Sequence, residues 1–193
     1  GAEKGFAAAN IRPVLLQKFP RDKADFAALA AQVMRSEAQA VLFIGSSGTV
    51  ASGVKALRAA GSSAQVVTLS NNASEGFIKL LGEHAHGVIV TQVFPNERAV
   101  NIRLIKEALE LAKAKGLSSI SPAMMEGFAA AKVLVEGLRR AGAKPTRTSL
   151  RDALEGMNKY DLGGLEVNYS PTDHTGLEFA DLSIIGSDGK FRR

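Results

Sequence analysis

The 193-residue chain has no cysteine and no tryptophan, and aromatic residues make up only 6% of it. Without cysteine there can be no disulfide framework, no thiolate zinc site and no Cys–His nucleophile. A chain without cysteine is compatible with an oxidising compartment. No apolar run approaches the roughly 20 residues that span a bilayer. The amino terminus, Gly1-Ala2-Glu3-Lys4-Gly5, lacks the apolar stretch of a secretion signal. Charge of one sign is also scarce: 24 Lys plus Arg stand against 19 Asp plus Glu. The basic residues are scattered in pairs (Lys55 and Arg58, Lys113 and Lys115, Arg139 and Arg140, Arg147 and Arg151, Arg192 and Arg193) on expected solvated faces and chain ends. A basic stripe interleaved with stacking aromatics is missing, so no nucleic-acid partner is expected. What the chain does have is 46% apolar content. That is too much for disorder and enough for one large or two small cores.

Along the chain the hydrophobic pattern alternates. Residues 2–9 read as the end of a helix halted at Asn10, and Arg12 to Phe19 is a short β-rich run before a Pro20-Arg21-Asp22 turn. Phe26, Leu29, Ala30, Val33 and Met34 recur at helical spacing, predicting a helix over about 24–37. Ala40 to Ile44 is a continuous apolar run of the kind that a strand buried on both faces shows. Gly45-Ser46-Ser47-Gly48 follows, then a helix marked by Val50, Val54 and Leu57. Gln65 to Leu69 repeats the strand, Ser70-Asn71-Asn72 repeats the polar loop, and Glu75 to Leu81 reads as a short helix. Gly87 to Val93 is a further strand. Strand, helix and strand at this spacing predict right-handed parallel βαβ units, hence a doubly wound α/β layer.

After Phe94-Pro95-Asn96 the pattern changes to three successive helices: 98–115, 122–141 and 148–157. Ser121 and Pro122 supply the cap and first position of the second. Helices without intervening strands need a sheet to cover, and this stretch offers none. Beyond Tyr160 the chain returns to β, with Leu165 to Tyr169 and Leu177 to Ile185 as a hairpin. Pro171-Thr172-Asp173 and Gly176 serve as its turn material, and Ser187-Asp188-Gly189 as a later turn.

The stretches QKFPRDKADFAALAAQVMRSEAQAVLFIGSSGTVASGVKALRAAG, TLSNNASEGFIKLLGEHAHGVIVTQVFPN, SPAMMEGFAAAKVLVEGLRRAG and GGLEVNYSPTDHTGLEFADLSIIGSDGKF carry a resemblance. Together they look like the second part of the branched-chain amino-acid-binding proteins, the type I periplasmic solute-binding proteins that feed ABC importers. The resemblance implies two α/β lobes joined by three crossovers, with ligand held between them by hinge closure. Residues 1–92 and 163–193 would form the second lobe. Residues 97–160 would be helices of the first lobe, whose sheet lies outside this chain. Crossovers are expected near Gln92–Pro95 and Asp161–Gly164. Members also carry a secretion signal, so the implied location is periplasmic. The implied partners are a small-molecule ligand and a membrane permease, with no cofactor and no catalysis. A ligand-sensing domain of a receptor or regulator built on the same fold is the alternative reading. If the helices over 98–157 lack their sheet, their apolar faces predict a homodimer.

In open α/β sheets, ligands bind beyond the carboxyl ends of the strands, beside helix amino termini. Two loops meet that description. Ser46, Ser47 and Gly48 offer hydroxyls and backbone N–H groups where a helix begins. Ser70, Asn71 and Asn72 offer hydroxyl and amide donors one unit later. Gln92 and Phe94, at the crossover, are expected to reach the same cleft. Ordinary helix capping explains such Ser and Asn residues equally well. In the family that the chain resembles, a carboxylate at the loop equivalent to Ser70-Asn71-Asn72 holds the ligand's ammonium, and an aromatic residue often covers the ligand where Ser46 or Ser47 stands. Neither feature is present, which points to an aromatic or other organic carboxylate without an α-amino group, or to an amino-acid-like ligand if Glu75 or the first lobe supplies the charge. Glu126, in MMEGF, is explained by the helix dipole. His84, His86 and His174 have no evident acidic partner, so no metal site is expected. The chain also lacks a Gly-Lys-Ser/Thr phosphate loop, a G-x-S-x-G elbow and G-x-G-x-x-G.

Overall fold

The computed structural model describes residues 1–20 and 22–193, so the Arg21 part of the expected turn lies outside the described residues. The first half of the chain gives α1 (Ala2–Ala8), α2 (Phe26–Arg35), β1 (Ala40–Phe43), α3 (Ser47–Ala59), β2 (Gln65–Thr68), α4 (Glu75–Leu81) and β3 (Ile89–Gln92). The second gives α5 (Arg103–Ala114), α6 (Pro122–Ala141), α7 (Arg147–Glu155), β4 (Tyr160–Asp161), β5 (Glu166–Ser170), β6 (Asp173–Gly176), β7 (Asp181–Ile185) and β8 (Phe191–Arg192). These elements group into two compact units.

The first unit comprises Gly1–Asn72, Gly76–Val90 and Ile184–Arg192. Its sheet has the order β1-β2-β3-β7-β8. β1 and β2 run parallel with Val41 opposite Val66, and β2 and β3 run parallel with Thr68 opposite Val90. β8 returns antiparallel to β7. The predicted parallel layer is therefore present. Its strands, however, alternate instead of being buried throughout: Phe43, Val66, Thr68 and Val90 are buried, while Leu42 is 36% and Ile44 52% exposed. The continuous apolar run at 40–44 overstated burial on the second face. On the buried face, Val50, Val54 and Leu57 of α3 and Phe77 and Leu81 of α4 fill the core. Gly53 lets α3 lie against β1, because a Cβ there would fall 1.8 Å from Cε1 of Phe43.

The expected β-rich run at 12–19 forms no strand, and Val14 and Leu16 are exposed. A strand needs a neighbour for its N–H and C=O groups, and the sheet order begins at β1, which pairs with β2. At the end of the run the Phe19 ring packs edge-on against Phe26 and Phe43 at 5.8 and 5.6 Å, and Leu15 is half-buried.

The second unit comprises Ala73–Glu75, Thr91–Ser183 and Arg193. The sequence reading assigns 163–183 to the other lobe, but here β4-β5-β6 form a small sheet within this unit. Leu162 and Val167 share one apolar cluster with Leu104 and Ile105 of α5 and Met125 and Ala129 of α6, which accounts for the placement. The β4–α5 junction is tight. Leu104 N donates to Gly163 O (2.9 Å), with Gly163 at φ 123, where a side chain would be strained and would strike Leu104. α7 packs on α6 over Gly137, where a Cβ would meet Leu154 at 2.8 Å and Leu150 at 3.1 Å. Ser121 caps α6 and Thr146 forms a capping box with Ser149 on α7. Along the predicted apolar faces Ile105 is buried, and Ile102, Leu109, Phe128 and Val133 are half-buried on the cluster. Leu134 and Leu138 stay exposed.

The carboxyl-terminal hairpin differs from expectation. β5 pairs with β6, so 173–176 is a strand where turn material was predicted, and β7 instead joins the larger sheet. Asp173 accepts from both the backbone and the hydroxyl of Thr175, and Ser170 accepts from Asp173 N. These local bonds let polar residues continue the hairpin that composition alone reads as a loop.

Candidate functional site

The β1–α3 and β2–α4 loops leave neighbouring parallel strands at their carboxyl ends, and the chain tethers them to each other. Thr68, the last residue of β2, is fully buried and its Oγ1 donates to the Phe43 carbonyl (2.8 Å). Ser70–Asn72 then turns as a single 3-10 helix. From it Asn71 Nδ2 donates to Gly45 O (3.0 Å), and Ser47 Oγ donates to Asn72 Oδ1 (2.9 Å). Ser46, Ser47, Gly48, Ser70, Asn71 and Asn72 are thus brought together in the first unit.

Their exposure divides them. Ser46, Gly48 and Asn71 are exposed, Ser47 and Ser70 are half-buried, and Asn72 is buried. Ser46 occupies the N-cap of α3 in an extended conformation but makes no side-chain capping bond. Its hydroxyl pairs instead with Thr49 Oγ1 (2.8 Å). By contrast, the caps of α2, α6 and α7 all accept a backbone N–H. The Ser46 hydroxyl therefore does not cap the first-turn N–H groups of α3, and groups of this kind stabilise a carboxylate or phosphate oxygen. Neither loop carries a charged side chain. Glu75, the nearest acid in sequence, is exposed in the first turn of α4.

Gln92 and Phe94 belong to the second unit and serve its interior there. Gln92 is 1% exposed and its Nε2 donates to Ser183 Oγ (2.6 Å). Phe94 lies in the apolar cluster, and its carbonyl accepts from the Arg193 guanidinium (2.7 Å). Arg193 is one chain-end basic residue that is not a solvated one: its side chain is 10% exposed and stands 3.5 Å from Asp181. Burial depresses its pKa, against the charges of Glu97 and Asp181.

Of the other candidates, His84 and His86 belong to the first unit and Glu126 and His174 to the second. His174 does meet an acid, with Nε2 3.2 Å from Glu155 Oε1, which the sequence did not reveal. His86 is exposed and His84 half-buried. Glu126 is exposed and sits past the first turn of α6. Among the described residues no group of three His, Asp or Glu could hold a metal, and no helix is long and apolar enough to cross a membrane. The feature that sequence reasoning missed is Thr68. A threonine at the inward-facing end of the strand Gln65-Val66-Val67-Thr68 must find a partner when buried, and that demand was the available signal.

The first unit is thus an α/β layer whose parallel strands β1 and β2 pass at their carboxyl ends into neutral, donor-rich loops. The family model described as periplasmic binding protein matches residues 1–184, and the chain belongs to that family. Among solved structures it is similar to a substrate-binding periplasmic protein from Ralstonia solanacearum. That match has 29% identity and a TM-score of 0.81, covering 98% of this chain and 55% of the other. It is also similar to an extracellular ligand-binding receptor from Verminephrobacter eiseniae, at 26% identity and TM-score 0.76, covering 90% of this chain and 50% of the other. A leucine binding protein from Thermotoga maritima shares the fold at 18% identity and TM-score 0.77, covering 91% and 49%. The chain spans about half the length of these structures. No curated protein sequence matches it.

Proposed function

We propose that this chain is part of an extracytoplasmic solute-binding receptor of an ABC importer, and that its cargo is a small organic acid without an α-amino group, best an aromatic carboxylate. Family membership and the likeness to ligand-binding receptors support the receptor reading. The observation that carries the ligand class is the loop pair itself. Ser46, Gly48, Ser70 and Asn71 present hydroxyl, amide and backbone donors at the end of β1 and β2, with no acid among them. Donors of this kind satisfy a carboxylate. They cannot neutralise an ammonium, and an unpaired buried ammonium costs several kcal/mol, a large part of the roughly 8 kcal/mol of micromolar binding. Ligand binding would select a closed state of the hinge, as the resemblance implies, and a membrane permease would receive the cargo. The test is calorimetric titration of the protein with benzoate and with leucine. Heat with benzoate and none with leucine supports the reading; tight leucine binding without a benzoate response refutes it.

A further inference from the structure

Within the loop pair, Asn72 is set apart by being fully buried, 0% exposed. Its Nδ2 donates to Thr68 Oγ1 (2.8 Å) and to Gly45 O (3.3 Å), while its Oδ1 accepts from Ser47 Oγ (2.9 Å). Chemistry fixes which way this amide faces. The Gly45 carbonyl can only accept, so it must meet the NH2 group. Since Thr68 donates onward to the Phe43 carbonyl, an unbroken chain of hydrogen bonds runs from the first turn of α3 through Asn72 to the end of β1. Both amide protons and one carbonyl lone pair are spent inside the protein, in a place where losing a partner is costly. What remains facing outward is supplied by the neighbours, Ser46, Gly48 and Asn71.

We propose that Asn72 is a positioning residue that pins the β1–α3 loop to the β2–α4 loop, and thereby sets the spacing of the ligand donors without touching ligand. The ligand half of this statement rests on the function proposed above; the pin itself does not. Asn72→Asp is the sharpest perturbation, because it keeps the shape and replaces the two donors by an acceptor opposed to Gly45 O. Asn72→Ala removes all three bonds, Ser47→Ala removes one, and Ser47→Thr keeps the hydroxyl.

The experiment measures backbone NMR order parameters of the ligand-free protein together with benzoate titration. In the parent protein, Gly45–Gly48 and Ser70–Asn71 should show rigid values of about 0.85. Asn72→Asp and Asn72→Ala should lower them below about 0.6 while Val54 and Val66 keep theirs. Ser47→Ala should give an intermediate loss that adds nothing to Asn72→Ala, and Ser47→Thr should restore the parent values. Benzoate affinity should fall about tenfold in step with the loss of order. Unchanged order in Asn72→Ala overturns the pin. Weakened benzoate binding with unchanged order overturns it too, since Asn72 would then contact the ligand. If an Asn72 variant loses its fold, Ser47→Ala decides between the same two results. If the parent protein binds no benzoate, the ligand reading fails and the order parameters alone still decide the pin.

Discussion

Gly53→Ala is the most informative single substitution in the first unit. Alanine normally stabilises a helix interior by about 1 kcal/mol over glycine, and Gly53 lies within α3. The added Cβ, however, would lie 1.8 Å from Cε1 and 2.3 Å from Cζ of Phe43. The Phe43 ring cannot retreat freely, being buried and flanked by Phe19 at 5.6 Å and Phe26 at 6.0 Å. Overpacking of this kind costs about 1–3 kcal/mol and occasionally more. With a contact this short the upper part of that range applies, so the helix gain is outweighed and the net loss is about 1–2 kcal/mol. At about 2–4 °C per kcal/mol for a chain of this size, the far-UV melting transition should fall by about 2–8 °C. Gly127→Ala is the control: it lies in α6, is exposed, and its Cβ would meet nothing within 4 Å. That variant should melt at or above the parent temperature. Pairing Gly53→Ala with Phe43→Leu should cost less than the two single substitutions added together, because the smaller side chain makes room. A Gly53→Ala protein as stable as its parent, or strict additivity with Phe43→Leu, would refute the argument from close approach.

Three further outcomes follow from specific contacts. Hydrogen bonds from Arg139 and Arg140 lower the Glu136 pKa from 4.5 to about 2; its stabilising contribution is therefore full above pH 4.5 and lost as pH falls through about 2, so the stability gap between parent and Glu136→Gln should close over that window in acid-denaturation curves. Gln92→Ala removes one hydrogen bond to the buried Ser183 hydroxyl, so urea unfolding should report a loss of about 0.5–1.5 kcal/mol, and an unchanged midpoint would show the bond to be idle. Ser70→Ala and Asn71→Ala should each weaken benzoate about fivefold, the equivalent of about 1 kcal/mol for one hydrogen bond, with thermal stability little altered.

The layer order of the first unit was legible because its strands are short apolar runs separated by amphipathic helices, and each helix carries its own punctuation. Asp25 caps α2 through Ala28 N, and Ala60 and Gly61 stop α3. Local chemistry of this sort is written in the residues themselves. What was not legible depends on partners distant in sequence. The run at 12–19 has strand composition but pairs with no strand among the described residues, and β6 has turn composition but a hairpin partner in β5 and side chains that satisfy its backbone. Pairing, more than propensity, decides a strand. The same distinction divides the candidate site. Small polar residues after β1 and β2 could be placed at the strand ends by topology. Which of them face outward was hidden, because Asn71 and Asn72 are adjacent and chemically identical. The turn at Ser70–Asn72 separates them: Asn71 is exposed, while Asn72 is buried against Thr68 and Gly45, 4 and 27 residues back along the chain. Both amides donate to Gly45 O, yet they take different parts: Asn71 keeps an exposed side chain, while Asn72 is wholly spent on holding its neighbours in place. The difference arises from the approach of β1 to β2, which no local pattern records.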